Sequence, residues 1–359
     1  MINGMFVVDS VVHPYDMGEA NNGTDPNQQR QIAGMYHHHR LYTGEQKTEY
    51  LMERDEFISD FDLDGLTGAL FAESQTDMGV LHALPNLGFS QGPLTDIRKM
   101  AALRDANPGR FLLYATINTR DTDAAIRELE WQVREFHVDG LKLYPAFYYD
   151  GKSIGWRLND PDFATPLLEA ARDLGLKNIA IHKAIPIGPS SIENFKVSDI
   201  DEPLMRFRDL NFQLVHAGFA FLDETRVLLH RHPNLYANLE STFCNLNNRP
   251  AIFLEALGEF LYWGSVDQIL YASGFNITHP RPMIEAFAAL EMPQRLKEER
   301  GYPDLTDEIK RKILGLNALK LHGIDPGAAA TKIAGDQYEQ RRAHDLEKPW
   351  TSLRQKEAA

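Results

Sequence analysis

The sequence predicts an α/β fold, a single (β/α)8 TIM barrel, and three observations carry that prediction. Short apolar runs end on chemically capable side chains: Phe6-Val7-Val8-Asp9 runs on to His13, Leu141-Lys142-Leu143 presents a lysine, and the runs at 178–181 and 212–215 end at His182 and His216. Stretches with helical periodicity separate these runs, the alternation of a parallel sheet. Eight such runs occur, and eight parallel strands close into a barrel that gathers its strand-end residues at one mouth.

The elements follow in order. Residues 5–9 read as the first strand, apolar on both faces as a buried parallel strand must be. A polar segment at 14–46, holding His37-His38-His39, is expected as a loop over the mouth, because so long an excursion from a compact domain is usually functional. Residues 48–61 read as a helix and 66–73 as the second strand. A helix at 94–105 is stopped by Asn107-Pro108-Gly109, and 111–117 is the third strand. Residues 123–136 form a helix capped by Asp121 or Thr122 and lead to the fourth strand at 140–143. A helix at 160–174 closes at Gly175 before the fifth strand at 178–181. The sixth strand, 212–215, is followed by a helix at 221–232 stopped by Pro233. The seventh strand spans 235–239, a helix 251–262 and the eighth strand 268–272. Helices at 282–296 and 306–321 complete a barrel domain of residues 1–325, and 326–359 form a polar tail, an arm over the surface or a partner subunit.

Composition bounds the function. With 359 residues and 43% hydrophobic content the chain buries a large core, and barrels of this size are single domains. A net charge of -14 argues against a nucleic-acid surface, which needs clustered Lys and Arg. Cys244 is the only cysteine, which excludes an intrachain disulfide and a Cys-rich zinc site. The first residues lack the basic and long apolar stretches of a signal peptide, and no run of about 18 apolar residues marks a membrane span. A cytoplasmic location is the default expectation.

Several segments, in order and spacing, resemble the amidohydrolase-related (amidohydrolase 2) family of metal-dependent barrels. They are Pro108-Gly109-Arg110-Phe111, then Ala124-Ala125-Ile126-Arg127-Glu128-Leu129 leading into Gly140-Leu141-Lys142-Leu143, and Asp160-Pro161-Asp162-Phe163 before Ile181-His182. Val215-His216-Ala217-Gly218, His232-Pro233-Asn234-Leu235-Tyr236 and the closing helix at 306–318 continue the match, which runs over residues 6–324. The resemblance implies hydrolases and decarboxylases acting on small aromatic or carboxylated compounds. It also implies two metal ligands on the first strand as His-x-His, a histidine on the fifth, an aspartate on the eighth and an acid/base histidine on the sixth. Carried over, His13 and His182 match ligands and His216 the sixth-strand histidine, while Val11 and Gly274 stand where two ligands are implied.

In the mechanism that the resemblance implies, a divalent metal lowers the pKa of its bound water from ~16 toward ~7. Valine and glycine have no donor to offer it, and three readings stand open. A zinc, manganese or iron ion is held by His13, His182 and His216, with a fourth group from Glu73, Glu240, Asp9 or the 37–39 histidines; iron there, or haem, would instead make an oxidative enzyme. Alternatively no metal is used, His182 or His216 is the acid/base, and Lys142 stabilises an anion or acts as a Schiff-base nucleophile. The third reading is a barrel that binds a ligand without turnover. The expected catalytic set is His216, Lys142 and Glu240, and the substrate is a small aromatic or carboxylated molecule; the resemblance also allows a homodimer.

Each residue has a structural alternative. Asp9 more simply holds a turn through backbone amides, Lys142 and Glu240 are equally at home as charge partners, and Cys244 as a small buried apolar group. Of His37 to His39, one member at most is expected to face the site. Tyr144, Phe147, Tyr148, Phe243 and Phe275 are expected to wall an apolar pocket, with His279 beside them, though such aromatics equally pack a core. Arg120, Lys183 and Arg281 are further candidates to hold a carboxylate.

Overall fold

The computed structural model describes residues 1–22, 25–88, 90–119, 121–149 and 151–354; Arg120 lies outside them. Ten strands are formed: β1 (Val8–Val12), β2 (Met78–His82), β3 (Phe111–Thr116), β4 (Gly140–Leu143), β5 (Ala146–Tyr149), β6 (Lys152–Gly155), β7 (Asn178–His182), β8 (Asn211–Val215), β9 (Leu235–Asn238) and β10 (Ile269–Leu270). Eight lie in one sheet in the order β1-β2-β3-β4-β7-β8-β9-β10, and β5 and β6 form a separate antiparallel hairpin. All neighbours in the large sheet are parallel.

The two edges meet, which makes the sheet a barrel. Ser10 donates its amide to the Tyr271 carbonyl at 3.1 Å, and Val12 bridges Phe275. Asp9 fastens the seam: its carboxylate accepts from the Ser273 amide at 2.9 Å, from the Ser273 hydroxyl and from the Val11 amide at 3.3 Å. The turn-holding alternative for Asp9 is what the structure adopts. Burial raises its carboxyl to about 6, with the Ser273 hydroxyl and the amides pulling the other way.

Side-chain alternation divides the core in two. On β7, Ala180 faces a cluster inside the barrel with Val8, Val80 and Val215, whereas Ile179 and Ile181 face the larger cluster under the helices. Polar residues share the inner face: Gln213 donates to the Tyr114 hydroxyl at 2.7 Å and Asn238 to Gln213 at 3.2 Å. Buried polar groups are tolerated when their hydrogen bonds are made.

Three expectations are corrected. The second strand is Met78–His82, and the segment expected there is the helix Leu63–Phe71. That helix is apolar nearly all round because the chain's C-terminal segment covers its outer side, and an apolar run buried on every side has no period to distinguish helix from strand. The expected loop at 14–46 contains the helices Glu19–Asn22 and Pro26–Thr43. The expected tail is packed into the body, with helices Pro326–Ile333, Gln337–Arg341 and Thr351–Arg354. Trp350 is fully buried, bonds the Tyr50 carbonyl at 2.8 Å through its indole N–H, and stacks on Phe275. Smaller differences follow local chemistry: Pro293 divides the expected helix at 282–296 into Arg281–Ala289 and Gln294–Arg300.

Replacing Trp350 by alanine empties this packed volume and strands the Tyr50 carbonyl. We expect Trp350→Ala to lower unfolding free energy by about 3–5 kcal/mol in urea titrations; a change under about 1 kcal/mol would show that the segment is only loosely laid on the surface.

Candidate active site

The strand ends open into a cavity of about 130 Å³. Its floor and walls are His13, Tyr15, Tyr144, His182, His216 and Glu240, with Ser273 and Gly274 beyond β10. The helix Pro26–Thr43 lies over it and contributes Gln31, Met35, His38 and Tyr42. Of the triple histidine, His38 reaches the cavity; His37 is exposed, and His39 is buried, bonding the Ile277 carbonyl and the Met52 amide.

Hydrogen bonds define the proton on each ring. His182 Nε2 lies 2.8 Å from the Ile185 carbonyl, so Nε2 carries the hydrogen and Nδ1 accepts. That acceptor is 3.2 Å from His216 Nε2, which therefore donates, and His216 Nδ1 is left as an acceptor 3.6 Å from Glu240 Oε2. His13 donates Nδ1–H to the His82 carbonyl at 2.8 Å. Burial, then the nearby Lys142 charge, lowers His13 to about 3. His182 and His216 are also pushed well below the usual imidazole range, by burial first. These rings are neutral at pH 7.

Below them Lys142 is fully buried, and its Nζ has no hydrogen-bond partner among the described residues. It lies 5.3 Å from the centre of the Tyr144 ring. Burial lowers its pKa while the Glu240 charge resists that shift. Glu240 shows the reverse: burial raises its carboxyl, Lys142 opposes the rise and Asp9 adds to it. His216 (φ 70°), just after β8, and Ser241 (φ 60°), just after β9, both line the cavity in the left-handed backbone region, and such strain is commonest where a site demands it.

Among the expected site residues, His13, His182, His216, Glu240 and Tyr144 share the cavity with Lys142 beneath, but the others stand apart. Phe147 and Tyr148 belong to the β5–β6 hairpin and line a neighbouring groove with Leu87. Phe243 packs against Phe253, Tyr271 and Phe287 in the core outside the barrel. Phe275 is buried against Trp350, and His279 is buried beside Glu73 at 3.4 Å. Lys183 is committed to Asp199 at 2.8 Å, and Arg281 to Glu285 at 2.9 Å. Of the aromatic residues expected as walls, Tyr144 lines the cavity, and the other aromatic walls are Tyr15 and Tyr42. Sequence reading missed His82, which ends the unrecognised β2, stacks on Tyr114 with ring centres 4.8 Å apart, and has no hydrogen-bond partner on either nitrogen among the described residues. Its signal, an apolar run ending in histidine, matched that of the other strands.

A family model for amidohydrolases matches residues 36–324. The chain belongs to the amidohydrolase family. Membership bears out the resemblance and the expectation of an enzyme. No match is found among curated proteins. Among solved structures, an uncharacterised TIM-barrel protein from Bordetella bronchiseptica is 19% identical with a TM-score of 0.66, covering 91% of this chain and all of its own. A dihydroxybenzoic acid decarboxylase from Polaromonas sp. JS666, with bound manganese and 2-nitroresorcinol, is 14% identical with a TM-score of 0.56 over 90% of this chain and 97% of that one. A 5-carboxyvanillate decarboxylase from Novosphingobium aromaticivorans, also with manganese, is 15% identical with a TM-score of 0.55 over 89% and 97%. These likenesses establish the barrel fold.

Of the four positions that the family resemblance gives to metal ligands, two carry no donor in this chain. Val11 is buried in the apolar cluster inside the barrel. A Cβ on Gly274 would come within 2.9 Å of Glu240 Oε1, so the glutamate occupies the space an eighth-strand side chain would need. His182 has both nitrogens engaged, and no group of three or more His, Cys, Asp or Glu among the described residues is arranged to hold a metal ion.

Because Gly274 and Glu240 share one volume, their substitutions must interact. Gly274→Ala is expected to cost about 2–4 kcal/mol, from crowding and a positive φ together. In a Glu240→Ala background the crowding is gone and the same change should cost only about 1 kcal/mol, measured by a double-mutant unfolding cycle. Additive effects would place the glutamate elsewhere.

Proposed function

We propose that this amidohydrolase decarboxylates a small aromatic acid of one ring at the barrel mouth. The observation that carries the reading is the Glu240 carboxyl in the cavity wall, with the fully buried Lys142 close enough to act on its ionisation. An apolar protein cavity of about 150 Å³ takes benzene, so a space of about 130 Å³ suits a single ring. Tyr15, Tyr42 and Tyr144 offer faces against which such a ring lies flat. Several structural neighbours are named as decarboxylases of dihydroxybenzoate and carboxyvanillate, which are acids of this size, and one is named as a metal-dependent hydrolase.

The roles follow from the charges. Lys142 draws the substrate carboxylate or a ring oxygen toward the floor, compensating the cost of its own burial with a ligand anion. Glu240, whose carboxyl burial pushes up to about 7, serves as an acid. It donates its proton to the ring carbon bearing the carboxylate, the bond to that group breaks, and its electron pair returns to the ring as CO2 departs. Solvent entering the open cavity after CO2 leaves returns the proton to Glu240, and the lone pair of His216 Nδ1, 3.6 Å away, faces the restored carboxyl. His13 and His182 hold the walls and donate no charge. Hydrolysis is the less favoured chemistry because a carboxyl kept protonated is a poor base toward water. His38 and Tyr42 on the overlying helix would contact the far edge of the ring.

The test is CO2 release from a panel of hydroxylated benzoates. Glu240→Gln, which keeps size and loses the acid, should lower the rate by about 100-fold or more. Since the acid form is the active one and its pKa is raised, the rate should hold on the acid side and fall as pH rises through about 7. Turnover of esters or lactones without CO2 release would contradict the reading. His38→Ala should raise KM with little effect on kcat, and His37→Ala, on the exposed side of the same helix, should change neither.

A further inference from the structure

We infer that the Lys142 ammonium takes the place of a divalent metal in this site, and that Glu240 on the strand-seven side replaces the eighth-strand carboxylate. Four observations converge on this. The two positions that the family resemblance assigns to further ligands hold Val11, packed among apolar side chains, and Gly274, which has none. The room above Gly274 is filled by Glu240 Oε1, so the carboxylate has been supplied from a neighbouring strand end and the eighth strand must stay bare to admit it. His182 spends both ring nitrogens on Ile185 and His216.

The fourth observation is the cation itself. The chain buries two lysines completely at adjacent strand ends, and treats them oppositely. Lys183 is neutralised by Asp199 at 2.8 Å and donates to the Asn194 carbonyl at 2.9 Å. Lys142 has neither kind of contact, and its Nζ, His82 Nδ1 and Nε2, His216 Nδ1 and Glu240 Oε2 are all buried polar atoms without a hydrogen-bond partner among the described residues. Unpaired groups of this kind are costly in a low-dielectric interior and are kept where a ligand completes them. A divalent ion placed among them would be repelled by the ammonium, whereas a substrate anion would be attracted by it. The inference rests on the proposed reading for its choice of a ring-bearing carboxylate and not for the reaction, so a failure to release CO2 leaves it standing.

Two binding measurements on tag-free, chelator-treated protein test it, and neither needs turnover. Calorimetric titration with MnCl2 or ZnCl2 should give no saturable binding up to ~1 mM; one tight equivalent of either metal, lost in His13→Ala, would overturn the inference. Salicylate should bind the wild type equally with and without chelator, and Lys142→Met should weaken it by about tenfold or more while Lys142→Arg retains part of the affinity. Salicylate binding that disappears with chelator and returns with MnCl2 would overturn it as well. Circular dichroism melting of each variant separates loss of binding from loss of fold.

Discussion

The constraint on which the site depends is a fully buried lysine whose ammonium has no hydrogen-bond partner among the described residues. Lys142 is fully buried on β4, inside a ring of strands whose other inward residues are largely apolar or amide. A charge so placed depresses every imidazole near it and competes with burial for the ionisation of Glu240. Burial first, and the nearby charge after it, holds the histidines well below the usual imidazole range, and the proposed acid of the site is a carboxyl. On the reading proposed above, residue types that suggest a three-histidine metal centre make up a lysine–glutamate site walled by imidazoles and tyrosines.

The barrel was legible because parallel strands buried on both faces stand out as short apolar runs between amphipathic helices. Six of the eight strand positions coincide with the expected ones, and the first overlaps its expected span, running over Val8–Val12 rather than 5–9. The exception, Leu63–Phe71, is a helix sealed beneath the C-terminal segment, with Gly65 and Gly68 allowing Ser352 and Leu353 to approach closely. Its apolar character on all sides is a tertiary effect that no local pattern encodes. The same misplacement hid β2 and therefore His82. Of the site, the residues at strand ends were readable because the fold dictates where they point: His13, His182, His216 and Glu240 line the cavity, and Lys142 is buried on the inner face of β4. The aromatic walls were not. Phe243 and Phe275 follow strand ends yet turn into the outer core, and the rings that do face the cavity come partly from the helix Pro26–Thr43, whose polar composition resembles that of a loop.

The segments beyond the barrel are part of the site's support. His39 ties the overlying helix to the Ile277 carbonyl, so the cover is anchored next to Gly274. Trp350 backs Phe275 and His279 from the opposite side, and its backbone amide and that of Ser352 are both held by Glu73. Asp9 joins the first and eighth strands directly below. Gly274, Glu240 and the floor of the cavity are thus fixed by contacts from the cover, the C-terminal segment and the barrel seam together, which is the rigidity that positioned catalytic groups require.

The central claim is that Lys142 and Glu240 form one electrostatic unit. A stability cycle of Lys142→Met, Glu240→Gln and the double variant, measured by urea unfolding at pH 7.5 or so, tests it most directly. If the two charges support each other, either single change leaves the other charge uncompensated, and the double variant is more stable than the sum of the single effects by about 1–3 kcal/mol. Strict additivity within about 0.3 kcal/mol would show that the two groups do not sense each other, and the account would fail with it.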